Sequence, residues 1–179
     1  MLKSRKPPYV TVTEINAAYC EALYLAQSME TGMRIFYLLD KALPKAPPGK
    51  LPRVNFDDET PPDLNINSLG GFIFQFRKEL MEEGTVDVQT RATMRSLEQA
   101  VEDRNWLVHF FWWEHLEEIA SPQGRVQMLG VLRVLIDKFK VYDDLIRRLV
   151  LVYFAQYNLD PRQVESTRFR AYLENRTKA

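Results

Sequence analysis

From residue 13 to residue 43 the apolar positions advance in alternating steps of four and three: Ile15, Tyr19, Ala22, Ala26, Met29, Met33 and Phe36. That spacing keeps them on one face of a helix. Thr13 is placed to cap it and Glu14 to meet the positive end of its dipole, and Pro44 stops it. Residues 44–65 then carry Pro44, Pro47, Pro48, Pro52, Pro61 and Pro62, too many imino acids for a helix or a central strand. They predict a long irregular loop. A second helix is expected from Ser68 to Glu83, capped near Ser68 and ended by Gly84, with the Gly70-Gly71 pair in its first turn. Those glycines suit close helix packing, or access for a ligand or partner backbone.

A third helix is expected from Thr90 to about Ile119, with Met94, Leu97, Val101 and Leu107 or Val108 on one side. Ser121-Pro122 reads as an N-cap followed by proline at the first helical position. Beyond it Met128, Leu132, Leu135, Phe139, Tyr142, Ile146, Leu149 and Tyr153 form a heptad-like stripe, widened by Leu129, Ile136 and Val150. A stripe this wide suits the core of an antiparallel bundle better than an isolated coiled coil. A last short helix should start at Pro161 and run to about Asn175. No strand alternation and no internal repeat is seen. The fold class expected is all-α, a bundle of about five helices with one long heptad-like helix. Residues 1–12 are expected as a flexible basic tail and residues 13–179 as a single domain.

Composition narrows the functional classes. Lys+Arg and Asp+Glu both number 24, so the chain of 179 residues has no basic excess for coating nucleic acid non-specifically. The one cysteine, Cys20, permits no intrachain disulfide; its apolar-periodic setting predicts a buried, reduced thiol. The basic N-terminus lacks an apolar core segment and no apolar run is long enough to span a bilayer, so a cytoplasmic protein with no membrane partner is expected. The two histidines, His109 and His115, lie on different faces of a helix, and no HExxH, P-loop, GxGxxG or GxSxG pattern occurs. No metal site and no cofactor is implied.

What remains is Glu102-Asp103-Arg104-Asn105-Trp106-Leu107-Val108-His109. On a regular helix Glu102, Asn105 and His109 share one face, so Asn105 can reach His109 and select its tautomer. Arg104 projects about 140° away from His109. Their convergence on one phosphate needs a local bend, a flexible arginine stem, or a second copy of the stretch. If they converge, a phosphodiester beside a 2′-hydroxyl can be cut by internal attack. Histidine supplies the acid or base, and arginine a planar fork for charge on the phosphorane.

Arg104-Asn105-xxx-His109 resembles the R-x(4–6)-H motif of HEPN domains, in its form with a polar residue after the arginine. The resemblance covers about residues 14 to 157. It implies a helical domain that dimerises to bring two motifs together, and a metal-independent ribonuclease in a toxin or antiviral-defence setting. RNA is then the substrate, and an antitoxin or activator protein a possible partner. Arg104 and His109 become the catalytic pair and Asn105 the orienting or phosphate-contacting residue. In the subgroup paired with nucleotidyltransferase antitoxins a tyrosine stands two positions after the histidine; here that position is Phe111.

Plainer readings stand beside this one. His109 among apolar neighbours suits a satisfied core histidine, and Arg104 a surface ion pair with Glu102 or Asp103. Trp106, Phe111, Trp112 and Trp113 divide between core and a dimer interface, since Trp112 and Trp113 point in different directions. Glu114, Glu117 and Glu118 read as a solvated face. Lys3, Arg5, Lys6, Arg162, Arg168, Arg170 and Arg176 collect basic charge at the two ends, where it could flank an RNA path. The functional alternatives are a catalytically silent HEPN-like module binding a nucleotide, RNA or protein, and an unrelated helical interaction protein that assembles through its long helix.

Overall fold

Thr11, not Thr13, caps the first helix. Its hydroxyl accepts the Glu14 N–H at 3.2 Å while the Glu14 carboxylate accepts the Thr11 N–H at 2.8 Å, a reciprocal capping box. The computed structural model describes residues 9–45, 50, 56, 69–82, 87–164 and 166–174. These form α1 (Val12–Ala42), α2 (Leu69–Glu82), α3 (Val88–His109), α4 (Phe111–Glu114), α5 (Pro122–Gln156) and α6 (Thr167–Glu174), with no strand among the described residues. The all-α bundle is as expected. Pro44 falls in a short 3₁₀ turn just past the end of α1. Most of the Pro-rich segment lies outside the described residues, as do residues 1–8, the Ser68 cap and Gly84. Order begins before residue 13: Val10 is buried and its carbonyl accepts the Arg125 Nε–H at 2.7 Å.

Side-chain pairs fix the direction of each helix. Ser28 Oγ donates to Asp143 at 2.9 Å, and the Arg125 bond to Val10 lies one end further down the same pair, so α1 and α5 run parallel. The long stripe therefore packs as a bundle core, but its main neighbour is not the antiparallel one expected. Leu69 meets Glu30 and Glu79 meets Lys41, which makes α2 parallel to α1 as well. Parallel neighbours cannot be joined by a tight turn, and the 26 residues between α1 and α2 supply the return path. α3 runs against both: Tyr19 contacts Leu107 and Glu30 contacts Arg104. α6 turns back along α5, setting Phe169 against Phe154 with ring centroids 5.4 Å apart.

The stripe residues close the core. Met128, Leu132, Phe139, Ile146 and Val150 are fully buried on α5, and Ile15, Ala22, Met29, Met33 and Phe36 on α1. Ser121 caps α5 by accepting the Gly124 N–H at 2.9 Å, with Pro122 following it. The Cys20 thiol is exposed, contrary to expectation. Cys20 follows Tyr19 by one position, and a 100° step carries it off the stripe. Gly70 lies against Val101, where a Cβ would sit 3.4 Å from the valine Cγ1, so the glycine serves close packing of α2 on α3. No described helix is long and apolar enough to cross a membrane.

Candidate functional site

The helix expected from Thr90 to Ile119 is interrupted at Phe110, after the motif rather than within it. In a continuous helix the Leu107 carbonyl would receive the Phe111 N–H; here it is met by the Tyr19 hydroxyl at 3.4 Å. A side chain inserted into the helical ladder is a common cause of such a break. Neither glycine nor proline marks the position, so the sequence carries no local sign of it. Arg104, Asn105 and His109 thus sit on one unbroken helix, and His109 is its last residue.

Asp103 sets the rotation of that helix. It is buried, 9% exposed, and accepts from Lys138 at 3.1 Å, Tyr142 at 3.2 Å and Gln99 at 3.3 Å. Burial, then the Asp103 charge and the hydrogen bond to it, push the Tyr142 phenol up to about 12. With Asp103 pinned to α5, the next residue is turned about 100° away, toward α1 and the start of α2. Arg104 there donates to Glu30 at 3.4 Å and to Asn105 Oδ1 at 3.0 Å. Its ion-pair partner is neither Glu102 nor Asp103. Asn105 orients the arginine, not the histidine.

His109 is exposed, so it is no core histidine; its ring lies edge-on to Phe110 at 6.3 Å. The half-buried histidine is His115, whose Nδ1 pairs with Glu118 and whose ring packs 4.9 Å from Phe111 and 5.9 Å from Trp106. Glu114 accepts the Trp106 indole N–H at 2.9 Å. Glu114 and Glu117 are exposed, as a solvated face requires, while Glu118 is half-buried against His115. Among the described residues no group of three or more His, Cys, Asp or Glu side chains converges on a metal position.

The aromatic residues separate cleanly. Phe111, expected among the interface candidates, is fully buried against Tyr19, Trp106 and His115. Trp106 and Trp112 are half-buried, Trp112 resting 5.1 Å from Tyr19. Trp113 is 79% exposed, and Phe110 and Leu116 are exposed near it. Next to His109 the surface is thus apolar and aromatic.

The described arginines near the C-terminal end do not converge on this site. Glu30 faces α3 while Gly32 faces α6, and two residues of helix are about 200° apart, so Arg168 and Arg170 stand across α1 from Arg104. Arg162 pairs with Asp160 at 2.8 Å. Lys3, Arg5, Lys6 and Arg176 lie outside the described residues. Glu30 is the site residue that sequence reasoning missed. It lies 74 positions from Arg104, and only the packing of α3 on α1 joins them. No protein-family model matches this chain, and neither the curated proteins nor the solved structures give a match to it.

Proposed function

We propose that this chain is a metal-independent endoribonuclease of HEPN type, acting as a homodimer in a toxin or antiviral-defence setting. The observation that carries this reading is the surface formed by the hydrogen-bonded Arg104–Asn105 pair, the exposed His109 and the exposed Phe110 and Trp113 beside it. Arg104 and His109 diverge on a straight helix, so the unit that cuts is assembled from two copies, with the aromatic surface between them. The RNA 2′-oxygen attacks phosphorus and the 5′-oxygen departs, leaving a 2′,3′-cyclic phosphate and a free 5′-hydroxyl. His109 removes the proton from the attacking oxygen or returns one to the leaving oxygen. Arg104, aligned by Asn105, holds the charge on the phosphorane.

Incubation with total RNA in EDTA, beside a His109→Ala variant, tests this. Fragments ending in 2′,3′-cyclic phosphate, lost in a folded variant, are the expected result. Intact RNA with the wild type, or equal cleavage by both, overturns it.

A second reading is a silent module of the same kind that binds nucleotide, RNA or protein. It is favoured by the Arg104 guanidinium already being held by Glu30. Titration of nucleotides and RNA against tryptophan emission separates the two, since binding without turnover belongs to this reading alone.

A further inference from the structure

Between the second half of α2 and the first half of α3 lies an open cleft of about 190 Å³. Its floor is apolar, from Leu80 and the buried Met94. Among the described residues Arg77, Arg91, Arg95 and Glu98 stand round it, Glu98 accepting from Arg77 at 2.6 Å. Three planar guanidiniums over an apolar floor suit a ligand that is anionic on one side and flat and apolar on the other.

The register of α3 says which such ligand. Arg91, Arg95, Glu98, Glu102, Asn105 and His109 advance in steps of four, three, four, three and four, so the cleft's arginines lie on the same stripe as the motif. Arg95 is ten residues before Asn105, about 15 Å along the helix. On α2 the exposed face carries Phe74 and Met81 flanking Arg77, and Phe74 is 70% exposed. A free aromatic face one helical turn from a guanidinium is the pairing that single-stranded nucleic acid uses, base on ring and phosphate on arginine.

We propose that this cleft is a distal subsite for single-stranded RNA. Arg77, Arg91 and Arg95 hold phosphates a few nucleotides from the scissile bond, with a base over Leu80 and Met94 and another on Phe74. The proposal takes its ligand class from the ribonuclease reading, but its site is separate from Arg104 and His109. In a chain of zero net charge, the described lining of the cleft brings three arginines together with Glu98, a local excess of cations. Glu98 is paired with Arg77.

The test is anisotropy of a labelled twelve-nucleotide RNA in EDTA with the full chain, comparing His109→Ala with His109→Ala carrying Arg91→Gln and Arg95→Gln. Both arginines are exposed, so the thermal midpoint should not move. We expect at least a tenfold loss of affinity, and a salt slope shallower by about 0.7 for each phosphate contact removed. In the His109-bearing protein the same pair should raise KM for long RNA and leave cleavage of a dinucleotide unchanged. Unchanged affinity and slope overturn the subsite, and if the wild type still cuts, the ribonuclease reading survives alone. RNA bound through the arginines but never cut sustains the subsite and removes that reading. Displacement by polyglutamate as readily as by unlabelled RNA makes the cleft a docking place for acidic protein and overturns the proposal, as does absence of any RNA binding.

Discussion

The Glu30 carboxylate on α1 lies 3.4 Å from the Arg104 guanidinium on α3, and its other oxygen accepts the Leu69 N–H at 3.2 Å. One acid thus ties together three helices and, on the ribonuclease reading proposed above, occupies the cation that a phosphate needs. In Glu30→Gln the amide oxygen still accepts from Leu69, but the charge that competes with phosphate is gone. Because the pair is half-exposed, its loss should alter stability by no more than about 1 kcal/mol. RNA affinity should rise several-fold, measured by anisotropy on non-cleaving protein. A fall in affinity would mean that Glu30 positions the arginine rather than competing for it.

Phe111 and Trp113 are two residues apart and should behave as opposites. Phe111→Ala empties a fully buried ring site and should cost about 3–5 kcal/mol, read from equilibrium denaturation. Trp113→Glu changes an exposed side chain and should leave stability within about 0.5 kcal/mol. Sedimentation should show the Trp113 variant as monomer at concentrations where the wild type is a dimer. A wild type that sediments as a monomer removes the interface assignment.

The Tyr142 phenol titrates near 12 in the folded chain and near the ordinary value of 10 in the unfolded one. Its folded value is raised, so its contribution to stability is complete below pH 10 and is lost as pH climbs from 10 through 12. Denaturation midpoints followed across that window should fall more steeply for the wild type than for Tyr142→Phe. Absorbance at the tyrosinate band should show one late-titrating phenol fewer in the variant. Equal slopes in the two proteins would refute the upward shift of the phenol that burial and Asp103 produce.

Gly32 is the point where α6 reaches α1. A Cβ there would overlap the Tyr172 hydroxyl and come within 2.8 Å of Ile146 Cγ2. Gly32→Ala should therefore destabilise by about 1–3 kcal/mol despite the better helix propensity of alanine. The Tyr172 hydroxyl is itself buried without a hydrogen-bond partner among the described residues. Tyr172→Phe should leave the thermal midpoint unchanged or raise it, because it removes an unsatisfied polar group. A marked loss on that substitution would reveal a partner for the hydroxyl.

The helices were legible in the sequence where periodicity and punctuation agreed. Ser121-Pro122 marks the start of α5 because the cap and the following proline serve the same geometry, and the residues from Met128 to Val150 repeat on one face for the whole length. The break at Phe110 was not legible, since apolar residues lie on both sides and Tyr19, whose hydroxyl meets the Leu107 carbonyl there, is far away in the chain. Helix direction was equally hidden: a stripe on α5 reveals that it is covered, not by which helix or in which sense. At the site, Arg104, Asn105 and His109 could be picked out by spacing. The partners of Arg104 and of its neighbour Asp103 could not, because Glu30 reaches the first, and Lys138 and Tyr142 the second, only through packing.

The parallel pairing of α1 with α5 has a consequence for the chain as it leaves the ribosome. The contacts that join them, from Val10 to Arg125 and from Ser28 to Asp143, each span 115 residues. Helix α1 ends at Ala42 and buries Met29 and Met33, yet the α5 helix that packs along it does not begin until Pro122. At ~5–20 residues per second that leaves an apolar helix face uncovered for several seconds or more. A nascent α1 is therefore a natural substrate for chaperones, and contacts this distant in sequence should make refolding slow for an all-helical protein of its size.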